Sequence, residues 1–464
     1  MSVQTENPAP EAAPIEESPS RVRLVFAGVM LGMFLAALDQ TIVSTALPTI
    51  VSDLGGANHL SWVVTAYLLA ATATTPLWGK LGDLFGRKTV FQVCIVIFLA
   101  GSALCGVAHN MAELIAFRAF QGIGGGGLMV LAMAVIADVV APRDRGRYQG
   151  VIGAVFGVSS VLGPLLGGFL VDNLSWRWVF YVNLPIGAVA LFVIAIALKS
   201  KSPEVRPRID YAGTALLAAA STCLVLITSL GGTTWGWNSA AVWGCGIGAV
   251  LLLLAFVLVE QRAPEPVLPL RLFRNPVFSM CSAIGFVVGL CMFGALSFIP
   301  LFMQVVNGNS PTESGLRLLP MMGGLLVSSI GTGQLISRYG RYKVYPIVGT
   351  LFMAFGLLLL SRVDDHTSAT VMGVDMAVFG FGLGLTMQVL IIAVQNTVDY
   401  ADLGTATSGA TYFRSIGGSF GASIFGTILN NRLRSNVSSA LFSAILLSTP
   451  VWSLGAITLT EIAS

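Results

Sequence analysis

The sequence predicts an all-α polytopic membrane protein, and three observations carry that reading. Hydrophobic residues make up 55% of the 464-residue chain, mean hydropathy is +0.82 and only 10% of residues are charged, a balance too apolar for a water-facing surface. Apolar stretches of spanning length recur between Gly, Pro and charge. One cationic turn occurs twice, as Gly-Lys-Leu-Gly-Asp-Leu-Phe-Gly-Arg-Lys from Gly79 to Lys88 and, more weakly, as Gly-Gln-Leu-Ile-Ser-Arg-Tyr-Gly-Arg-Tyr-Lys from Gly333 to Lys343. A spanning helix needs about 20 mostly apolar residues, so about fourteen would use most of the chain and leave no room for a soluble domain.

The first 20 residues carry Glu6, Glu11, Glu16 and Glu17 among prolines. A signal peptide needs a basic start and an early apolar core, so residues 1–20 read as a disordered cytoplasmic tail. Apolar runs then predict helices near 24–48, 60–79, 89–108, 112–138, 148–171, 178–198, 211–230, 240–259, 277–303, 316–337, 344–361, 371–396 and 407–429. A fourteenth is expected near 441–459, around Pro450.

Lys and Arg accumulate in cytoplasmic loops, which orients these helices. With the N-terminus inside, the inner segments hold Arg21, Arg23, Lys80, Arg87, Lys88, Arg143, Arg145, Arg147, Lys199, Lys201, Arg206, Arg208, Arg262, Arg271, Arg274, Arg338, Arg341 and Lys343. The outer segments hold only Arg177, Arg317, Arg362, Arg432 and Arg434. A multi-pass protein of the cell (inner or plasma) membrane with a cytoplasmic N-terminus is expected.

The first cationic turn joins the second and third expected helices, and its echo joins the tenth and eleventh. Two six-helix bundles separated by an extra pair satisfy that offset: residues 21–200, then two additional helices in 201–262, then a second bundle in 263–464. Duplicated bundles around a central site are an architecture of secondary transporters.

Asp39 lies well inside the first expected helix, where an ionised carboxylate costs about 2.5 to 3.5 kcal/mol. It must face protein or water. Proton binding and a structural carboxylate bonded near Thr41 or Ser44 are both open. Arg118, in the fourth expected helix, cannot discharge by deprotonation and needs an acceptor, either a carboxylate on a neighbouring helix or a water-lined path. Gln121 and Gly122 follow it, then the run to Gly127, which lacks the Lys-Ser/Thr of a phosphate loop and reads as close helix packing. In the fifth expected helix, Gly157, Gly163, Pro164, Gly167 and Gly168 suit either a bent hinge or static packing. Trp176, Arg177 and Trp178 read as interfacial anchors. Asp375 and Arg414 are secondary candidates, each placed near a membrane edge.

Other classes find little support. His59, His109 and His366 are dispersed in short loops, with no nucleophilic triad and no metal-ligand spacing, so an enzyme is not expected. The six cysteines show no CxxC spacing. No cofactor, nucleotide or nucleic acid is expected as a partner; protons, a small-molecule substrate and the lipid bilayer are.

Together these segments resemble the fourteen-helix drug:proton antiporter family of the major facilitator superfamily, over about residues 20–430. The resemblance implies a major facilitator fold. It implies a cytoplasmic gate in Gly79, Gly82, Asp83, Gly86, Arg87 and Lys88, with Asp83 and Arg87 in charge contacts. Leu38 to Pro48 is similar to the family's first-helix signature, implying proton coupling at Asp39. Arg118 with Gln121 is similar to its proton-translocation motif, and Gly157 through Gly168 to its antiporter motif, implying export. Ser337 stands in the echo where the first turn has Asp83. The function so implied is proton-driven export of hydrophobic, often cationic, small molecules such as drugs and antibiotics. A dedicated exporter of one metabolite or self-made antibiotic, and a non-transporting receptor or scaffold, are the alternatives.

Overall fold

The structure, a computed structural model, describes residues 19–55, 60–140, 144–198, 210–231, 235–309, 311–364 and 366–448. The expected tail up to residue 18, His59, Arg143, Lys199, Lys201, Arg206, Arg208 and the last expected helix beyond Ser448 lie outside the described residues.

The named elements among the described residues are helices: α1 (Pro19–Leu54), α2 (Leu60–Phe85), α3 (Arg87–Gly106), α4 (Met111–Val139), α5 (Arg145–Asn173), α6 (Trp178–Tyr181), α7 (Asn183–Ala197), α8 (Tyr211–Leu230), α9 (Ala240–Glu260), α10 (Pro276–Val305), α11 (Pro311–Leu316), α12 (Leu319–Tyr339), α13 (Val344–Leu360), α14 (Ala369–Gln395) and α15 (Leu403–Ser448). Among the described residues, ten spans are long and apolar enough to cross a membrane.

Three expectations change. The sixth expected helix divides into α6 and α7, and Pro185 falls in the first turn of α7, where its missing N–H removes no helical bond. The tenth divides into α11 and α12. The thirteenth runs on without a break into the first residues of the expected fourteenth, as an α15 of 46 residues, about 69 Å at 1.5 Å per residue, more than twice a hydrocarbon core of about 30 Å. Residues 430–440 contain neither Gly nor Pro, so nothing in the backbone chemistry stops the helix there. Thirteen long helices therefore stand among the described residues where fourteen were expected.

α4 packs against both α2 and α3, α1 against α5 and α7, α14 against α12 and α13, and α10 against α15. The glycine run explains the tightness around α4. A Cβ on Gly124 would stand 2.6 Å from the Phe98 nitrogen and the Cys94 carbonyl oxygen, and one on Gly122 or Gly126 would meet the α2 backbone. These glycines let three helix backbones touch, as helix association in lipid favours.

The two cationic turns share one backbone device. Each places a glycine at positive φ, 86° at Gly86 and 71° at Gly340, a region open to glycine and costly for L side chains, although ψ differs, 134° against −3°. Trp176 corrects another expectation. It is only 3% exposed, its indole Nε1 donates to Asp53 at 2.7 Å, and Arg177 stacks over its ring at 4.3 Å. It is an internal strut rather than a lipid anchor, whereas Trp178 is 47% exposed.

Candidate functional site

α1, α4 and α7 meet at a buried polar cluster. Asp39 from α1 is fully buried and Arg118 from α4 nearly so. Arg118 Nη1 donates to Asp39 Oδ2 at 2.6 Å and to Gln121 Oε1 at 2.8 Å. Gln121 Nε2 donates to Asp39 Oδ1 at 2.9 Å, and Asn183 Nδ2 reaches the same oxygen at 3.0 Å. Asn183 also donates to Ser102 Oγ at 3.0 Å. Tyr67 stacks on the guanidinium at 4.3 Å. A buried charge persists only if paired and hydrogen-bonded, and here the acid has three donors.

Neither Thr41 nor Ser44 is a partner of Asp39. Thr41 Oγ1 donates to Ser159 O on α5 at 3.0 Å, and Ser44 Oγ to Thr41 O at 2.6 Å. Both acid oxygens are thus engaged: Oδ1 accepts from Gln121 and Asn183, and Oδ2 from Arg118.

Beside this cluster lies a central cavity of about 620 Å³. Gln40 and Thr41, the neighbours of Asp39, line it; Asp39 and Arg118 do not. Its far wall comes from α10, α12, α14 and α15 and is mostly apolar, with Met292, Phe293, Met321, Leu383 and Met387. Val225 and Thr228 of α8 complete it.

The first cationic turn docks on the start of α15. Asp83 accepts from the backbone N–H of Gly404 at 3.0 Å and of Thr405 at 2.7 Å, and from Thr405 Oγ1 at 3.0 Å. These are unpaired donors in the first turn of α15, where an anion also meets the positive end of the helix. Arg87 Nη2 donates to Asp83 Oδ1 at 2.9 Å, while its Nε holds Asp138 at 2.5 Å. Gly79 packs on Gly404 and Ser408, and Gly82 on Leu131, leaving no room for a side chain. Lys88 Nζ donates to Ala195 O at 2.6 Å. Gly86 supplies the positive φ of the turn.

The glycines of α5 face two neighbours. A Cβ on Gly163 or Gly167 would strike Thr41 or Thr45 of α1, one on Gly157 would press Leu326 of α12 at 3.2 Å, and Gly168 has open space. Pro164 lies within the unbroken α5. Asp375 is buried in the second turn of α14 and does not line the cavity. Arg414 does line it. Eleven residues into α15, it sits about 17 Å from the helix start, well inside rather than near an edge.

A family model described as Major Facilitator Superfamily matches residues 29–422. The chain belongs to that superfamily. An uncharacterised MFS-type transporter of Mycobacterium tuberculosis is 49% identical over 92% of this chain. The chain spans only 62% of that relative's length. The multidrug transporter protein MdtP of Bacillus subtilis is 44% identical over 90% of this chain and 77% of its own. Among solved structures, the proton:xylose symporter XylE superposes with a TM-score of 0.65 at 14% identity, covering 90% of each chain, which is a likeness of fold alone. By family and by its ten candidate spans among the described residues, this major facilitator chain is a multi-pass membrane protein.

Sequence reasoning missed several residues of this major facilitator site. The role of Asn183 depends on α7 docking beside α1, and an amide in the first turn of an apolar helix is its only local signal. Arg145 read as a loop charge, yet it is 6% exposed and donates to Ala137 O at 2.7 Å and to Asn396 Oδ1 at 3.2 Å. Gln395 similarly reaches Met133 O at 3.3 Å. Contacts between residues some 250 positions apart leave no local pattern to read.

Proposed function

We propose that this chain is a proton-coupled exporter of hydrophobic small molecules, belonging to the fourteen-helix drug:proton antiporter family. The observation that carries the reading is the Asp39–Arg118 ion pair, 2.6 Å long and fully enclosed, one residue away from the cavity wall at Gln40. In this reading a proton reaches Asp39 when its donors part. Arg118 then turns to Gln121 Oε1, already 2.8 Å away, and α1 shifts against α5 along the glycine face of Gly163 and Gly167. The cationic turns act as the inner gate, with Asp83 released from α15 when the gate opens.

In the same reading the N-terminus is cytoplasmic and the chain sits in the cell membrane. Its parts are two six-helix bundles in 21–200 and 263–464 and an added pair in 201–262. The membrane potential supplies about 2.3 kcal/mol per charge at 100 mV, roughly fiftyfold accumulation per charge moved. An apolar cavity rich in methionine re-packs around varied ligands, which favours breadth. Cationic cargo loses its support, because the described lining holds no carboxylate.

Everted membrane vesicles energised by respiration test this reading. Accumulation of a hydrophobic dye, abolished by an uncoupler and absent with Asp39→Asn, is the expected result. Uncoupler-insensitive accumulation, or full proton-driven transport by Asp39→Asn, would overturn it.

A further inference from the structure

The central cavity contains one charged side chain among its described lining residues, Arg414. None of the ion pairs among the described residues includes it. Arg118, the other arginine at membrane depth, has Asp39. An arginine cannot escape its charge by losing a proton, and one at membrane depth marks a functional site by default. Its position is fixed, because Gly289 of α10 packs against the Arg414 backbone with no space for a Cβ.

A second observation points to a ligand. Gln388 of α14, 3% exposed and also in the lining, has neither its amide oxygen nor its amide nitrogen hydrogen-bonded. Ser423 of α15, 8% exposed, leaves its hydroxyl unpartnered in the same wall. Buried polar groups are nearly always satisfied, so orphaned ones around a cavity call for a polar occupant. The rest of the far wall is dominated by methionine, leucine and phenylalanine, with small and hydroxyl residues such as Ser329, Thr411 and Ser419 between them.

We infer that the cavity selects amphipathic organic anions: an apolar body against the methionines, and a carboxylate or similar oxyanion on the Arg414 guanidinium with Gln388 as a further hydrogen-bond partner. The guanidinium fork matches a carboxylate in two parallel bonds. A monoanion leaving as a proton enters also lets the membrane potential drive both movements. The inference rests on the reading of this cavity as the substrate site, and it names the class of substrate.

Equilibrium dialysis against the full chain in lipid nanodiscs, with empty nanodiscs subtracted, tests it using three pyrene probes of one shape. These are pyrenebutanoate, its methyl ester and a pyrenylbutyl trimethylammonium ion. The wild type is expected to bind the carboxylate about tenfold or more tightly than the ester or the ammonium, the factor of a charge-assisted hydrogen bond. Arg414→Gln is expected to erase that preference while leaving ester affinity in place, and Arg414→Lys to keep part of it. Equal or tighter wild-type binding of the ammonium would overturn the inference, as would an unchanged ratio in Arg414→Gln. Binding of none of the probes would overturn the cavity as a substrate site altogether. Carboxylate preference without proton-driven efflux in vesicles would leave the selectivity standing and remove the coupling.

Discussion

The hydroxyl of Ser337 accepts a hydrogen bond from the backbone N–H of Arg147 at 3.1 Å, in the first turn of α5. Asp83 makes the matching contact with the first turn of α15, and the symmetry extends to the packing glycines. Gly79 abuts Gly404, while Gly333 abuts Gly146. Each cationic turn thus caps a helix of the other half of the chain. One cap is a carboxylate and the other a neutral hydroxyl.

Asp83→Asn is expected to loosen the gate more than Ser337→Ala. The first removes a charge that accepts from two backbone donors and one hydroxyl, at about 2 kcal/mol or more; the second removes one neutral bond, about 1 kcal/mol. The readout is the rate at which an impermeant maleimide labels Thr75→Cys on the cavity wall from the gated end. Unchanged labelling and unchanged transport in Asp83→Asn would refute the gate.

Ser337→Asp has the opposite sign. A carboxylate at the start of α5 adds about 0.3–1 kcal/mol of favourable helix-terminus interaction, beside the backbone N–H of Arg147. Slower maleimide labelling and slower turnover are expected. Faster labelling would show that the serine is not a cap.

Asp39→Asn leaves Arg118 buried without a counter-charge, a change worth about 3–5 kcal/mol when one partner of a buried pair is removed. A lower thermal unfolding temperature should accompany loss of proton-driven transport. Asn183→Ala keeps the ion pair and loses its bonds to Asp39 and Ser102, so it should cost about 2 kcal/mol. A thermal shift for Asn183→Ala as large as that of Asp39→Asn would contradict this ranking.

Gly167→Ala and Gly168→Ala differ by one position and are expected to behave oppositely. The first drives a methyl into Thr45 and Ile42 of α1, and overpacking of this kind costs about 1–3 kcal/mol. The second meets nothing within 4 Å, and alanine in place of a helical glycine gains up to about 1 kcal/mol. Thermal unfolding of the two purified variants decides it, and equal shifts would mean that α1 and α5 do not pack as described.

Local chemistry alone determined much of this protein. Apolar runs too long for a water-facing surface fixed the membrane class, because an apolar helix has nowhere else to go. The turns at Gly86 and Gly340 announced themselves through glycine and charge, and Asp39 and Arg118 through their cost in lipid. The sequence could not show where helices end once the punctuation fades, so α15 ran on through residues 430–440, and Trp176 read as an anchor from its ring alone.

Tertiary structure decided the partnerships. That Arg118 meets Asp39, that Asn183 joins them, that Asp83 caps α15 and Ser337 caps α5 all depend on contacts between helices far apart in the chain. Such contacts are set by how glycine faces let backbones approach, and each polar group then takes whichever partner the packing brings within reach. Arg414 is the sharpest case. Its sequence neighbourhood resembles any small-residue helix, and only the assembled cavity reveals a cation that no acid of the described chain pairs with.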